Sequence, residues 1–355
     1  MRTILLLSLS FTLFFANVNA QNSDFFSVKK VETAATFSAS TSMQLVLSTG
    51  TNFYLTAHND NDGYYYIQKY VDGTWVKLDR TFSDNDYNRS YSNFHADTKG
   101  NLYFYTKTIA GENSIFQFNG DTWNNLTLQG LPNEILSTFH AVGEKIYVMN
   151  FDASNNSTLY TFENDAWKVV GNANFTTGNV SAVSILNYNN TLLLKFEAYK
   201  NLKGVMYILE NNTWTLWKKA YVGGKEMIRN NQYINNNANL AVYFSAFSGD
   251  QKANILTLEK DKWTSIVDDE IKNTAVRFMY VFSLKGKLFY FYENKNDNLN
   301  LYYKVCENGK WSAAQRFNTE ERLGQISYGI VGDKIVMSTC EPNGSKMAYF
   351  ELKVN

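Results

Sequence analysis

An all-β fold of seven four-stranded units closed into a ring is predicted by three features of the chain. Tryptophan recurs at Trp75, Trp123, Trp167, Trp214, Trp263 and Trp311, with gaps of 48, 44, 47, 49 and 48 residues. Each of these residues ends the same phrase, an apolar run followed by a polar turn: YVDGTW, FNGDTW, FENDAW, LENNTW, LEKDKW and CENGKW. Upstream of each phrase lie two further apolar runs separated by a Gly- or Asn-bearing turn. A repeat of this length marks an architecture in which every repeat is one supersecondary unit.

The chain begins with Arg2, an apolar stretch (ILLLSLSFTLFFA) and then Val18-Asn19-Ala20 before Gln21. That order reads as a secretory signal with its cleavage site, too short and wrongly flanked for a permanent membrane helix. Residues 1–20 are therefore set aside, and residues 21–355 are expected to form one domain that is secreted or periplasmic. No Cys follows the apolar stretch, so no lipoprotein anchor is expected, and no second apolar run could span a bilayer.

Composition supports a β-rich globule. Hydrophobic residues make up 45% of the chain and aromatic residues 16%, enough to fill a core and suited to a pleated surface. Only two prolines occur, Pro132 and Pro342, which leaves strands free to pair. Acidic and basic residues balance at 33 each with no long basic run, so a nucleic-acid partner has no electrostatic support.

Within the unit, residues 113–127 serve as the example. Ile115, Phe116 and Phe118 form one strand, Asn119-Gly120-Asp121 turn, and Trp123 opens the next strand. Asp72-Gly73, Asn164-Asp165, Asn211-Asn212 and Asn308-Gly309 stand at the same turn, where positive φ is demanded. The preceding strands are NLYFY at 101–105, KIYVM at 145–149, TLLLKF at 191–196 and KLFYFY at 287–292. Still shorter apolar runs precede these, at 94–96, 139–142, 183–186 and 278–282. Four antiparallel strands in about 48 residues is the unit.

The 335 residues after the expected cleavage hold about seven such units, yet only six Trp hairpins are visible. Residues 325–354 carry three strands and stop where a seventh Trp strand would begin. The N-terminal FFSVKKVET resembles the strand that elsewhere starts at Trp, as in WVKLDRT. It is expected to supply the outermost strand of the last unit and so close the ring.

On these grounds the chain resembles a seven-bladed β-propeller along its whole mature length. The Trp phrase is also similar to the Asp-box of sialidase-like propellers, nearest at Asp72, Gly73, Thr74 and Trp75, although the leading Ser is missing. The paired Gly of kelch repeats and the Trp-Asp ending of WD40 blades are absent. Sialidase chemistry would need an arginine cluster with a Tyr nucleophile and acidic partners. Arg80, Arg89, Arg229, Arg277, Arg316 and Arg322 do not recur at equivalent inner-strand positions.

Candidate site residues come from what does not repeat. The repeated Trp could stack on sugars, but a residue kept in every blade reads as a wedge between blades. Trp217, beside Lys218 and Lys219, falls outside the register and is a candidate for surface contact. His95 and His140 sit in Asn-Phe-His-Ala and Thr-Phe-His-Ala on innermost strands of adjacent blades. They read either as a channel site for a metal or ligand or as packing residues, since two His lack a third ligand. The loop Asn59-Asp60-Asn61-Asp62-Gly63 is similar to a Ca²⁺ loop, but it lacks the remote Glu and has His58 where the first acid would stand; the plainer reading is a soluble turn. Asp152–Asn156 and Asn294–Asn298 are comparable loops. The first shares a rim with residues 79–92, which carry Asp84 and Asp86, and ligand binding is expected at that rim. Cys306 fills the apolar slot held elsewhere by Tyr70, Phe118, Phe162, Leu209 and Leu258, so no disulfide with Cys340 is expected. Asn-x-Ser/Thr triplets occur at Asn88, Asn125, Asn174, Asn179 and Asn211, among others.

The function expected is a non-catalytic binding module, lectin-like or protein-binding, presenting loops on a rigid ring. The alternatives are a glycan hydrolase or lyase with its site at the channel mouth, and a structural component of the cell envelope. A glycan or an extracellular protein is the expected partner. No cofactor and no resident metal are expected, and the protein is expected to be a monomer.

Overall fold

The computed structural model describes residues 21–22, 25–33, 41–79, 82–132, 136–176, 180–198, 204–218, 228–236, 239–246, 253–317, 326–340 and 347–355. The expected signal segment, residues 1–20, lies outside them, and so do Arg80 and Arg322.

Six blades follow one another along the chain, at 41–79, 93–125, 136–169, 180–216, 228–265 and 276–311, each an antiparallel sheet with its strands in chain order. The seventh combines 326–331, 334–340 and 347–354 with the N-terminal strand 26–33. First strands of successive blades lie against one another around the ring. The protein is a seven-bladed β-propeller.

Closure follows the sequence reading. Phe26 pairs with Val354, and the antiparallel register continues to Val31 opposite Tyr349. Val28 faces Leu352 as Trp311 faces Cys306, so a valine fills the tryptophan slot of the last blade. One feature is additional. Glu32 and Thr33 run on in parallel beside Thr74 and Trp75, which joins blades 7 and 1 into one continuous sheet.

Turn chemistry explains the hairpins. Both central residues adopt positive φ at Asn164-Asp165 (53° and 58°), Asn211-Asn212 (48° and 59°) and Asp72-Gly73 (48° and 90°). These are the turns whose twist matches that of the strands they join, and Asn, Asp and Gly reach them at least cost. Blade 2 differs, because the Asn119 carboxamide oxygen accepts from the backbone of Asp121 at 3.1 Å and of Thr122 at 3.0 Å.

The core lies between blades. Trp75, Trp167 and Trp214 are buried, while Trp123, Trp263 and Trp311 keep an edge toward solvent. The indole N–H of Trp167 donates to Thr127 O at 3.0 Å, that of Trp214 to Val170 O at 2.7 Å, and that of Trp311 to Ile266 O at 2.5 Å. Each acceptor belongs to the segment that ends the preceding blade, so the ring ties one blade to the last. Trp75 differs from these three: its N–H is buried without a partner, at the seam where the preceding outer strand is the N-terminal one.

Trp217 lies within the repeat after all. Its backbone N–H donates to Met206 O at 2.8 Å, the bond that Leu126 makes to Ile115, Val170 to Leu159 and Ile266 to Ile255. It occupies the third position after the repeat Trp, an apolar slot in each of those blades, and it is 7% exposed. Cys306 is a buried free thiol in the slot assigned to it, and burial raises its pKa. The Cys340 side chain lies outside the described residues.

Candidate functional site at the blade 1 rim

Two segments meet on one rim. The loop after strand Phe53–Asn59 leads into strand Tyr64–Val71, and residues 82–92 connect blade 1 to blade 2. Backbone bonds lock them together: Tyr65 N donates to Phe82 O at 2.9 Å and Asp84 N to Gly63 O at 2.9 Å. Gly63 turns the loop with φ +70°, a region in which a side chain is strained.

Side chains add a second lock. His58 is fully buried, with Nδ1 2.9 Å from Asp60 Oδ1 and Nε2 3.0 Å from Asp84 Oδ2. Both contacts donate at once only when both ring nitrogens carry hydrogen. Arg89 Nη1 lies 2.8 Å from the same Asp60 oxygen, so an unbroken chain of polar contacts runs through Arg89, Asp60, His58 and Asp84. The Tyr65 ring packs edge-on against the imidazole at 4.7 Å. His58 therefore organises the rim from beneath and is not itself a surface ligand.

The other acids are held as well. Tyr66 Oη donates to Asp62 Oδ2, and Asp62 Oδ1 accepts from Tyr64 N at 3.1 Å. Asp86 Oδ2 accepts from Ser83 Oγ at 2.9 Å. The carboxylates thus point at His58, Arg89, Tyr66 and Ser83, not at a common centre. Among the described residues no group of three or more His, Cys, Asp or Glu is placed to hold a metal ion. The 3₁₀ turn Arg89–Tyr91, capped by the Asn88 side chain, presents Tyr91 at 47% exposure. The Lys107 ammonium sits 4.3 Å from the centre of that ring.

The comparable loops are self-contained. Asp152 accepts from the backbone of Ser154 and Asn156 and from the Asn156 carboxamide, all at 2.8 Å, bonds that hold its carboxyl below the usual range. Asp297 accepts from Tyr302 Oη at 2.7 Å and Asn300 Nδ2 at 3.1 Å, with the same effect. These acids brace their own turns. The blade 1 loop, in contrast, is cross-linked to an inter-blade connection through the buried His58 imidazole.

His95 and His140 occupy equivalent registers, opposite Tyr103 and Tyr147. Their ring centres are 5.8 Å apart and tilted by 64°. Burial drives His95 down to about 3, helped by the charge of His140, and drives His140 down to about 4. Both rings are neutral at pH 7. The unfolded chain takes up these protons near the ordinary value of about 6.5, so the stability that depends on neutral rings is complete above that pH. It is lost as pH falls through 6.5 toward the folded values. At pH 5 each ring is expected to cost on the order of 2 kcal/mol relative to pH 7. The check compares urea midpoints at the two pH values for the metal-free protein and for His95→Phe/His140→Leu, which replaces the rings with residues of the kind at Phe282 and Leu186. An equal pH loss in both proteins sinks the assignment.

Trp217 borders a groove of about 550 Å³ between blades 4 and 5, with Tyr188, Leu216, Glu210 and Asp261 also in its wall. The indole offers that groove little more than an edge.

No family model and no curated protein matches the chain. Solved structures do. YCF48 from Cyanidioschyzon merolae superposes with a TM-score of 0.55 at 11% identity, over 92% of this chain and 98% of that one. YCF48 bound to D1 peptide gives 0.54 at 9% identity, over 95% and 100%. The six-bladed Aleuria aurantia lectin, described with a fucose recognition mode, gives 0.45 at 14% identity, over 77% and 94%. The likeness is one of fold.

Proposed function

We propose that this propeller is a binding module that acts after export and recognises a glycan at the blade 1 rim. The observation that carries the reading is the platform built by Arg89, Asp60, His58 and Asp84. Two loops from different parts of the sequence are held rigid by a buried imidazole, so little order remains to be imposed on binding. Carboxylates and a guanidinium suit the hydroxyl groups of a sugar, and the exposed Tyr91 face beside them suits its apolar side. The fold itself does not choose among ligands, since propellers host unrelated functions.

The test is a glycan array probed with purified protein, followed by titration of the best ligand. Arg89→Ala and Tyr91→Ala are each expected to weaken binding at least about tenfold, equivalent to about 1.4 kcal/mol. The melting temperature should move little, because both side chains are substantially exposed. An array without selective binding, or affinity untouched by both variants, removes the rim from consideration. Release of sugar from the bound glycan would instead favour the enzyme reading.

A further inference from the structure

The pair His95 and His140 is independent of the rim and unused by it. Strands Asn93–Ala96 and Leu136–Val142 open adjacent blades and lie against each other in the inner ring. His140 Nε2 is buried with no hydrogen-bond partner. So is the hydroxyl of Thr138, which lies two residues earlier and on the same side of the strand. A buried donor or acceptor left unmatched is costly, and a native chain that keeps one calls for an explanation. Packing alone does not call for imidazole here, because Leu186 and Phe282 hold the same register in blades 4 and 6, opposite Leu193 and Phe289.

We propose that His95 and His140 together bind one soft monovalent cation, Cu(I), as a two-coordinate site across the blade 2–blade 3 junction. Ring centres 5.8 Å apart suit such an ion. About 2 Å for each metal–nitrogen bond and roughly 1 Å from each nitrogen to its ring centre sum to about 6 Å.

The choice of ion follows from ligand count and charge. Zn²⁺ takes four ligands, or three and a water, and among the described residues no group of three or more His, Cys, Asp or Glu is placed to supply them. Cu(I), with a filled d shell, is satisfied by two nitrogens in line. A site without a carboxylate must also absorb the ion's charge, and the Born cost of a divalent ion is roughly four times that of a monovalent one.

The experiment is an anaerobic competition between the purified full chain and the Cu(I) chromophore bicinchoninate. One equivalent is expected to leave the chromophore, and X-ray absorption of the bound ion should report two nitrogen ligands. His95→Phe and His140→Leu are each expected to weaken binding at least tenfold, while Zn²⁺ is not retained by any form. Should a variant fail to fold, the wild-type protein labelled with ¹⁵N-histidine and titrated with Ag(I) still decides the matter. Two of the three histidine side chains, and not His58, are expected to shift. No withdrawal of Cu(I) by the wild type overturns the site. Equal retention by both variants, which would place the ion on methionines elsewhere, overturns it too, as does an Ag(I) titration that leaves both signals in place.

Discussion

Deleting residues 21–33 is expected to leave no soluble monomer. The strand Phe26–Thr33 is the fourth of blade 7, and it shields the edge of Met347–Val354 from any other chain. Phe26 is wholly buried, 4.5 Å from the ring of Tyr303 and 6.1 Å from that of Phe291, so its loss also opens blade 6. An uncovered hydrophobic edge is a template for pairing between molecules. Size-exclusion chromatography and near-ultraviolet circular dichroism provide the check. The full chain should elute as a discrete species with fixed aromatic signals, and the truncated chain as aggregate. A truncated protein that stays monomeric and melts within a few degrees of the full chain would refute this account of closure. The point variant Phe26→Ala should retain the ring but lose about 3–5 kcal/mol.

The second large effect is expected at Trp214. Its indole is 4% exposed and bonds Val170 O at 2.7 Å, while its own backbone N–H takes the Asn172 side chain at 2.7 Å. Phe175 stacks on it at 5.2 Å. The preceding blade leaves space for the ring only because position 171 is glycine: a Cβ there would stand 2.8 Å from the indole, at φ +73°. Trp214→Ala empties this wedge and strands the Val170 carbonyl, and a cost of about 3–5 kcal/mol follows. Trp263→Ala, where the ring keeps an exposed edge, should cost clearly less. Urea denaturation of the two variants against the parent measures both. A Trp214→Ala loss below about 1 kcal/mol, or the reverse order of the two, would show that the repeated indoles do not join blades.

Much of this architecture could be read from local chemistry. Hairpins at Asn164-Asp165 or Asn211-Asn212 declare themselves because positive φ has few tolerant residues, and the missing seventh Trp together with FFSVKK set the blade count and the mode of closure. Other features depend on contacts that leave no local trace. His58 and Asp84 are 26 positions apart and meet through a loop and a connection, neither of which has a period. The rim therefore appeared in the sequence as a group of acids that resembled a cation loop, although its acids are turned toward a buried imidazole. The helix Asp269–Asn273 is too short to show a pattern; Asp268 and Glu270 fix it to the buried Lys304 at 2.6 and 2.5 Å. Trp217 shows a different lesson. Leu126, Val170 and Ile266 mark its slot three residues past each repeat Trp, so that extending the repeat by one turn of phrase would have exposed it as core. The parallel run of Glu32 and Thr33 beside blade 1 had no such signal, since no other blade junction among the described residues repeats it.

The pairing of Phe26 with Val354 also has a temporal side. The strand that seals the sheet and its partner stand far apart in the sequence, with Asn355 N donating to Phe25 O at 3.0 Å. Contacts this distant in sequence form slowly, because nearly the whole chain must be gathered before they offset the entropy of closing so large a loop. The latch thus makes the finished state wait on the gathering of every blade between residues 26 and 354, so that closure reports on the integrity of the ring as a whole.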